Sequence, residues 1–193
     1  MLFGVLWVSL IVGVNVLVSA RRAAVLMKAV QSVAQTAGLS DVRSRSFDRV
    51  LGSWRGYSVT WWIRGGGRDG PERVVLEIAA ATPTRMAIHR RRRFDFGLHF
   101  FGPPAVQTAL DGEYSVRSDD ILLAEHLLGD EKIAAEMSVT IQDRRDELAL
   151  DASRVRVTRV TRSATSRDEA AHAAWQLAAA VVEQLGFPPA ESG

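Results

Sequence analysis

YSVTWWIRGGGRDGPERVVLEIAA, residues 57–80, is the stretch that decides the fold. Tyr57, Val59, Trp61 and Ile63 alternate with Ser58, Thr60, Trp62 and Arg64, the period of two of a strand with one buried face. After a turn over 64–71, Val74, Leu76, Ile78 and Ala80 fall on one side and Arg73 and Glu77 on the other, so the stretch reads as a β-hairpin. Gly65, Gly66 and Gly67 do not make a phosphate loop: the Gly-Lys-Ser/Thr that would place a lysine and a metal-binding hydroxyl is missing, and the glycines join two strands. Trp61 belongs to the buried stripe. Trp62 points the other way, where it is expected to lie under the last helix.

Downstream, a third strand is expected from about Arg85 to Arg92, and a further segment from Phe94 to Phe101 ends at Pro103 and Pro104. Glu113 to Arg117 reads as a short strand or a turn. Ser118, Asp119 and Asp120 then form an N-cap cluster, since free amides and the helix dipole favour acidic side chains at a helix start. A helix over 121–128 closes at Gly129, a second runs from Asp130 to Met137, and 148–150 and 155–157 form another hairpin. The capping box Ser166-Arg167-Asp168-Glu169 opens a last helix with Ala171, Ala174, Trp175, Ala178, Val181, Val182 and Leu185 along one stripe. Upstream, Ala23, Met27, Val30, Ala34 and Ala37 recur at helical spacing until Gly38. Ser40 to Ser46 reads as a polar, basic connection without pattern. The expected class is α+β, a mainly antiparallel sheet packed by helices over 39–187, with 188–193 as a flexible tail.

Met1 to Ala20 carries no charged side chain and stops at Arg21 and Arg22. About 20 helical residues at ~1.5 Å each reach roughly 30 Å, the thickness of a bilayer's hydrocarbon core. The run is therefore expected to be a transmembrane anchor, followed by a juxtamembrane helix over 21–38. Arg21, Arg22 and Lys28 crowd its trailing end, which places the amino terminus outside and the domain on the cytoplasmic face of the inner membrane. The competing reading is a signal peptide cleaved after Ala20, with the domain exported. It is weaker, because no basic residue precedes the run and the run exceeds the usual ~7–15 apolar residues. Ser9 and Gly13 make a small-xxx-small pair and Asn15 a lone amide, which could support pairing between copies of the helix.

The 24 Lys and Arg against 22 Asp and Glu hide an asymmetry. Residues 21–110 carry 15 basic and 6 acidic side chains, residues 111–193 carry 9 and 16. Either the first half faces an anionic surface, or the halves meet in one fold and neutralise each other. With no cysteine, disulfides, thiolate metal sites and a Cys nucleophile are excluded. His89, His99, His126 and His172 show no metal-ligand spacing, and no cofactor is expected. The basic run Arg90, Arg91, Arg92 and Arg93 is the loudest local signal. It reads first as a solvated strand end or a partner for the acidic second half; beside an anchor it would also suit anionic head groups. Nucleic acid is the lesser reading, since no recognition motif surrounds the run.

Gly52-x-x-x-Gly56-x-x-Val59, and later Tyr114-x-Val116-x-Ser118-Asp119-Asp120 leading into a helix, resemble uncharacterised bacterial single-pass membrane-anchored α+β domain proteins. The resemblance covers much of the chain after residue 50. It implies the architecture and brings no activity or site with it. The resulting expectation is a membrane-tethered, non-enzymatic interaction or scaffold module, with Arg21, Arg22, Lys28 and Arg90 to Arg93 touching lipid or a membrane or cytoplasmic protein partner. The alternative is a tethered enzyme with a polar pocket around His126, Asp119 and Asp120.

Overall fold

The computed structural model describes residues 2–46, 49–65, 70–90, 105–106, 113–161 and 166–190, and along the first helix it describes side chains at 14, 17, 20, 21 and from 24 onward. One helix, α1, runs without interruption from Leu2–Ala37. The strands that follow are β1 (Ser40–Ser46), β2 (Arg49–Trp54), β3 (Tyr57–Arg64), β4 (Arg73–Ala79), β5 (Met86–Arg90), β6 (Ala105–Val106) and β7 (Tyr114–Ser118). Helices α2 (Ile121–Gly129) and α3 (Glu131–Thr140), the hairpin β8 (Glu147–Asp151) and β9 (Arg154–Val160), and α4 (Ser166–Leu185) complete the described elements. The strands form one nine-stranded sheet in the order β1-β2-β3-β4-β9-β8-β5-β7-β6, and every described pair is antiparallel. The α+β class and the antiparallel sheet are as read from the sequence.

The deciding hairpin forms as expected, with Trp61 opposite Leu76 and Val59 opposite Ile78. Gly65 opens its turn at a φ of 81°, where a Cβ would lie 2.8 Å from the Pro71 carbonyl oxygen, so only glycine fits. Ser40–Ser46, expected as a connection, is instead edge strand β1. Its register shifts twice against β2 and Asp41 has a φ of 54°, and these irregularities erase the alternation by which a strand is recognised. β5 does not follow β4 in the sheet; the carboxy-terminal hairpin β8–β9 lies between them. The segment Phe94 to Phe101 lies outside the described residues.

One face of the sheet carries the helices. α4 lies on β4 and β9, with α1 and α3 beside it: Ser32 Oγ is 3.2 Å from His172 Nε2, and Thr140 Oγ1 donates to the Ala173 carbonyl at 3.1 Å. Ala170, Ala171, Ala174 and Ala178, each at most 1% exposed, let these helices approach closely. Trp175 of α4 sits at right angles to Trp54, ring centroids 5.1 Å apart, and stacks on Trp61 at 6.4 Å. The last helix thus covers Trp61 and not Trp62. Trp62 is half-buried on the opposite face, with the Arg49 guanidinium 5.5 Å from its ring centroid. The buried face of α1 is Leu26, Ala29, Val30 and Val33, rotated from the expected stripe, of which Met27 and Ala37 are only partly buried against the core. Part of the expected tail is pinned: Pro189 bridges to Ala80, and the Ala190 amide donates to the Ala79 carbonyl at 3.2 Å. Among the described residues no helix is long and apolar enough to cross a membrane. Most side chains of the apolar run 1–20 lie outside the description, as do those of Ser9, Gly13 and Asn15.

Candidate functional site

Of the seven cations expected to touch lipid or a partner, Arg21, Lys28 and Arg90 have described side chains, and all three are exposed. Arg21 and Lys28 are seven residues apart on α1, two turns, and so share a face. Arg90 ends β5, and its Nη1 donates to the Gln142 carbonyl at 2.9 Å, tying the start of the basic run to the loop after α3. The Arg22 side chain and Arg91, Arg92 and Arg93 lie outside the described residues. The charge-opposed halves meet within the molecule: Arg55 pairs with Glu183 at 2.7 Å, and Arg85 lies 3.9 Å from Asp151. Pairs of the reverse sense also form, Glu77 with Arg154 and Arg156, and Glu72 with Arg167.

Two clefts flank the helical layer. The first, about 260 Å³, lies where the end of α1, the β2–β3 turn, α3 and α4 meet. Arg55 and Gly56 form its turn with φ of 50° and 86°, the positive pair that a two-residue hairpin requires. The Arg55 guanidinium lies 5.0 Å from the Trp54 ring, and Lys132 Nζ reaches the second Glu183 oxygen at 3.4 Å. These ion pairs sit on an exposed rim, where such pairs contribute little to stability. The second cleft, about 190 Å³, is lined by Gln142, Asp146, Arg159 and Glu169 among others. Asp146 is buried there. Its Oδ2 accepts from the amides of Gln142 at 2.9 Å and Asp143 at 2.6 Å, its Oδ1 accepts from Val160 N at 2.6 Å, and Arg159 lies 3.7 Å away. Burial pushes its carboxyl up, against those amides and the Arg159 charge. A carboxylate with both oxygens engaged fastens the loop over 142–146 to the end of β9. Nothing in the sequence signalled this, since its partners come from two segments.

The grouping expected around His126 takes another form. Asp119 Oδ1 accepts from the Thr84 hydroxyl and from Arg85 N at 2.9 Å, and these bonds, the hydroxyl first, hold its carboxyl below the usual carboxylate range. Asp120 caps α2 by accepting from Leu123 N at 3.0 Å. Both carboxylates serve local structure, and His126 is exposed on α2. Among the described residues no group of three or more His, Asp or Glu could hold a metal ion.

No protein-family model and no curated protein matches the chain. Among solved structures, the chain is similar to the crystal structure of the mycobacterial trehalose monomycolate transport factor A, TtfA, with 15% sequence identity and a TM-score of 0.50. The match covers 86% of this chain and 98% of that one. What the two share is the fold.

Proposed function

We propose that the chain is a membrane-tethered, non-enzymatic interaction module whose domain lies on the cytoplasmic face of the inner membrane and assists transport at that membrane. The observation that carries this reading is the continuity of α1. The same 36-residue helix that begins in the apolar run ends in the core, with Leu26, Ala29, Val30 and Val33 at most 1% exposed. An anchor joined to a domain in this way holds the domain at a fixed attitude, which suits docking to a neighbouring membrane protein. Among the described residues the clefts, at about 190, 240 and 260 Å³, are smaller than the ~300–1,000 Å³ of small-molecule sites, which supports a working surface there more than a substrate pocket. The transport role is drawn from the name of TtfA, a transport factor of the same fold. Arg21, Arg22, Lys28 and Arg90 to Arg93 are its proposed contacts with membrane lipid or a partner protein.

Protease treatment of intact cells tests the placement. The domain is expected to survive; its digestion would reverse the orientation, and recovery of chains beginning at Arg21 would mean that the leader is cleaved. Pull-down of the tagged full chain from solubilised membranes tests the function. A specific membrane or cytoplasmic partner, lost when Arg90 to Arg93 are changed to Ser, is the expected result. Retention of every captured protein by that variant would remove the basic run from the working surface.

A further inference from the structure

The strand registers sort the cations by end of the sheet. Trp54, Tyr57 and the end of α1 lie at one end: Trp54 is opposite Tyr57, and Ala37 shares a cleft with Trp54 and Trp175. The end of β1, the start of β2, the end of β3 and the start of β4 lie at the other, where Arg49 pairs with Trp62 and Arg64 with Arg73. From Ala37 back to Leu26, α1 spans about 17 Å at ~1.5 Å per residue, against roughly 23 Å for the seven residues of β1. The docked part of α1 therefore leaves the domain near this second end, and Arg21 is only about 8 Å further along the helix. Arg45, Arg49 and Arg64 are exposed there, and none has an ion-pair partner among the described residues, whereas Arg43, opposite Leu51, lies mid-strand.

This arrangement works against the fold's own stability. Arg64 and Arg73 are cross-strand partners, and like charges directly opposite destabilise a sheet. Nearer the other end the signs alternate, with Glu77 between Arg154 and Arg156. Edge protection explains Arg43 and Arg45, on an outermost strand, but not Arg49 and Arg64, which lie on inner strands. Of the described acids near this end, Glu72 is bonded to Arg167, and Asp168 and Glu169 sit in the first turn of α4, where they complement its dipole.

We propose that Arg45, Arg49 and Arg64 form a docking surface for anionic lipid head groups, so that the end of the sheet beneath the anchor rests on the bilayer. This deepens the membrane-tethered reading and rests on it. The head-group layer adds roughly 5–7 Å outside the hydrocarbon core, and the Debye length at physiological salt is ~8 Å, so a surface about 8 Å past Arg21 lies within range. The chain has no cysteine, which permits single labels at Ser44→Cys beside the arginines and Ser153→Cys at the far end. The full chain is reconstituted in nanodiscs of neutral lipid, or of lipid with an anionic phospholipid, each carrying a head-group quencher. The label at 44 is expected to be quenched more than that at 153 in anionic discs only. Each Arg→Gln change should weaken the attraction roughly five-fold, and molar salt should abolish it. Equal quenching at both sites, quenching at 44 indifferent to lipid charge and to the three changes in a variant of unchanged melting temperature, or preference for RNA in competition overturns the proposal. Release of the chain by alkaline carbonate would defeat the anchor alone. The same quench, read on chain added to vesicles, then decides the arginine surface.

Discussion

Trp175 lies between Trp54 and Trp61 and is 7% exposed, so it joins α4 to two strands through aromatic contact. Trp175→Ala is expected to destabilise the domain by ~3–5 kcal/mol, read from urea midpoints at constant m-value. Its stripe was legible because large apolar residues recur on one face of a long helix. Asp146 was not legible, since a short loop and the end of a strand give no periodic signal. Burial raises its carboxyl, so the folded chain holds that proton to higher pH than the unfolded one. The resulting contribution is present below the ordinary aspartate value and is lost as pH rises through the folded value. Asp119 is held low and works in the opposite sense: its contribution is present above the ordinary value and is lost as pH falls through the folded one. Melting temperature against pH is expected to lose its decline over the Asp146 window in Asp146→Asn. It should lose the acid-side fall attributable to Asp119 in Asp119→Asn.

The amphipathic second half of α1 is a structural part of the domain. A chain starting at Ala24 keeps Leu26, Ala29, Val30 and Val33 and is expected to fold, whereas one starting at Gly38 loses all four core residues and is not. Circular dichroism and resistance to limited proteolysis distinguish the two. Val30→Asp is expected to cost several kcal/mol, because it buries an unpaired carboxylate at a position with no exposure. Elements with clean periodicity, the β3–β4 and β8–β9 hairpins and α4, could be read from the chain in advance. β1 could not, because two register shifts break its alternation, and β2 was visible only as two glycines around Trp54. Of the cluster read as an N-cap, Asp120 caps α2, whereas Asp119 is bonded to Thr84, which stands 35 residues away and left no trace in the sequence.

At the scale of the molecule, which strands neighbour one another was the least legible property. Alternation shows that β4 and β5 are strands, but their separation by β9 and β8 depends on pairing between residues 58 to 87 positions apart in the chain. The charge asymmetry was countable in advance, and its spatial meaning was not: ion pairs join the halves, while Arg45, Arg49 and Arg64 collect at one end. The insertion of the β8–β9 hairpin also bears on how the protein is made. A fragment ending at Asp146 lacks the two strands that join the sheet's halves and is expected to sediment as aggregate, whereas the full chain stays monodisperse. On the ribosome, at ~5–20 residues per second, Val74, Leu76 and Ile78 wait about 4–15 s before residues 154–160 emerge to pair with their strand. For those seconds the nascent protein carries an open, greasy ribbon close to its point of synthesis, so its yield in the cell should track the supply of holdase chaperones more closely than its equilibrium stability.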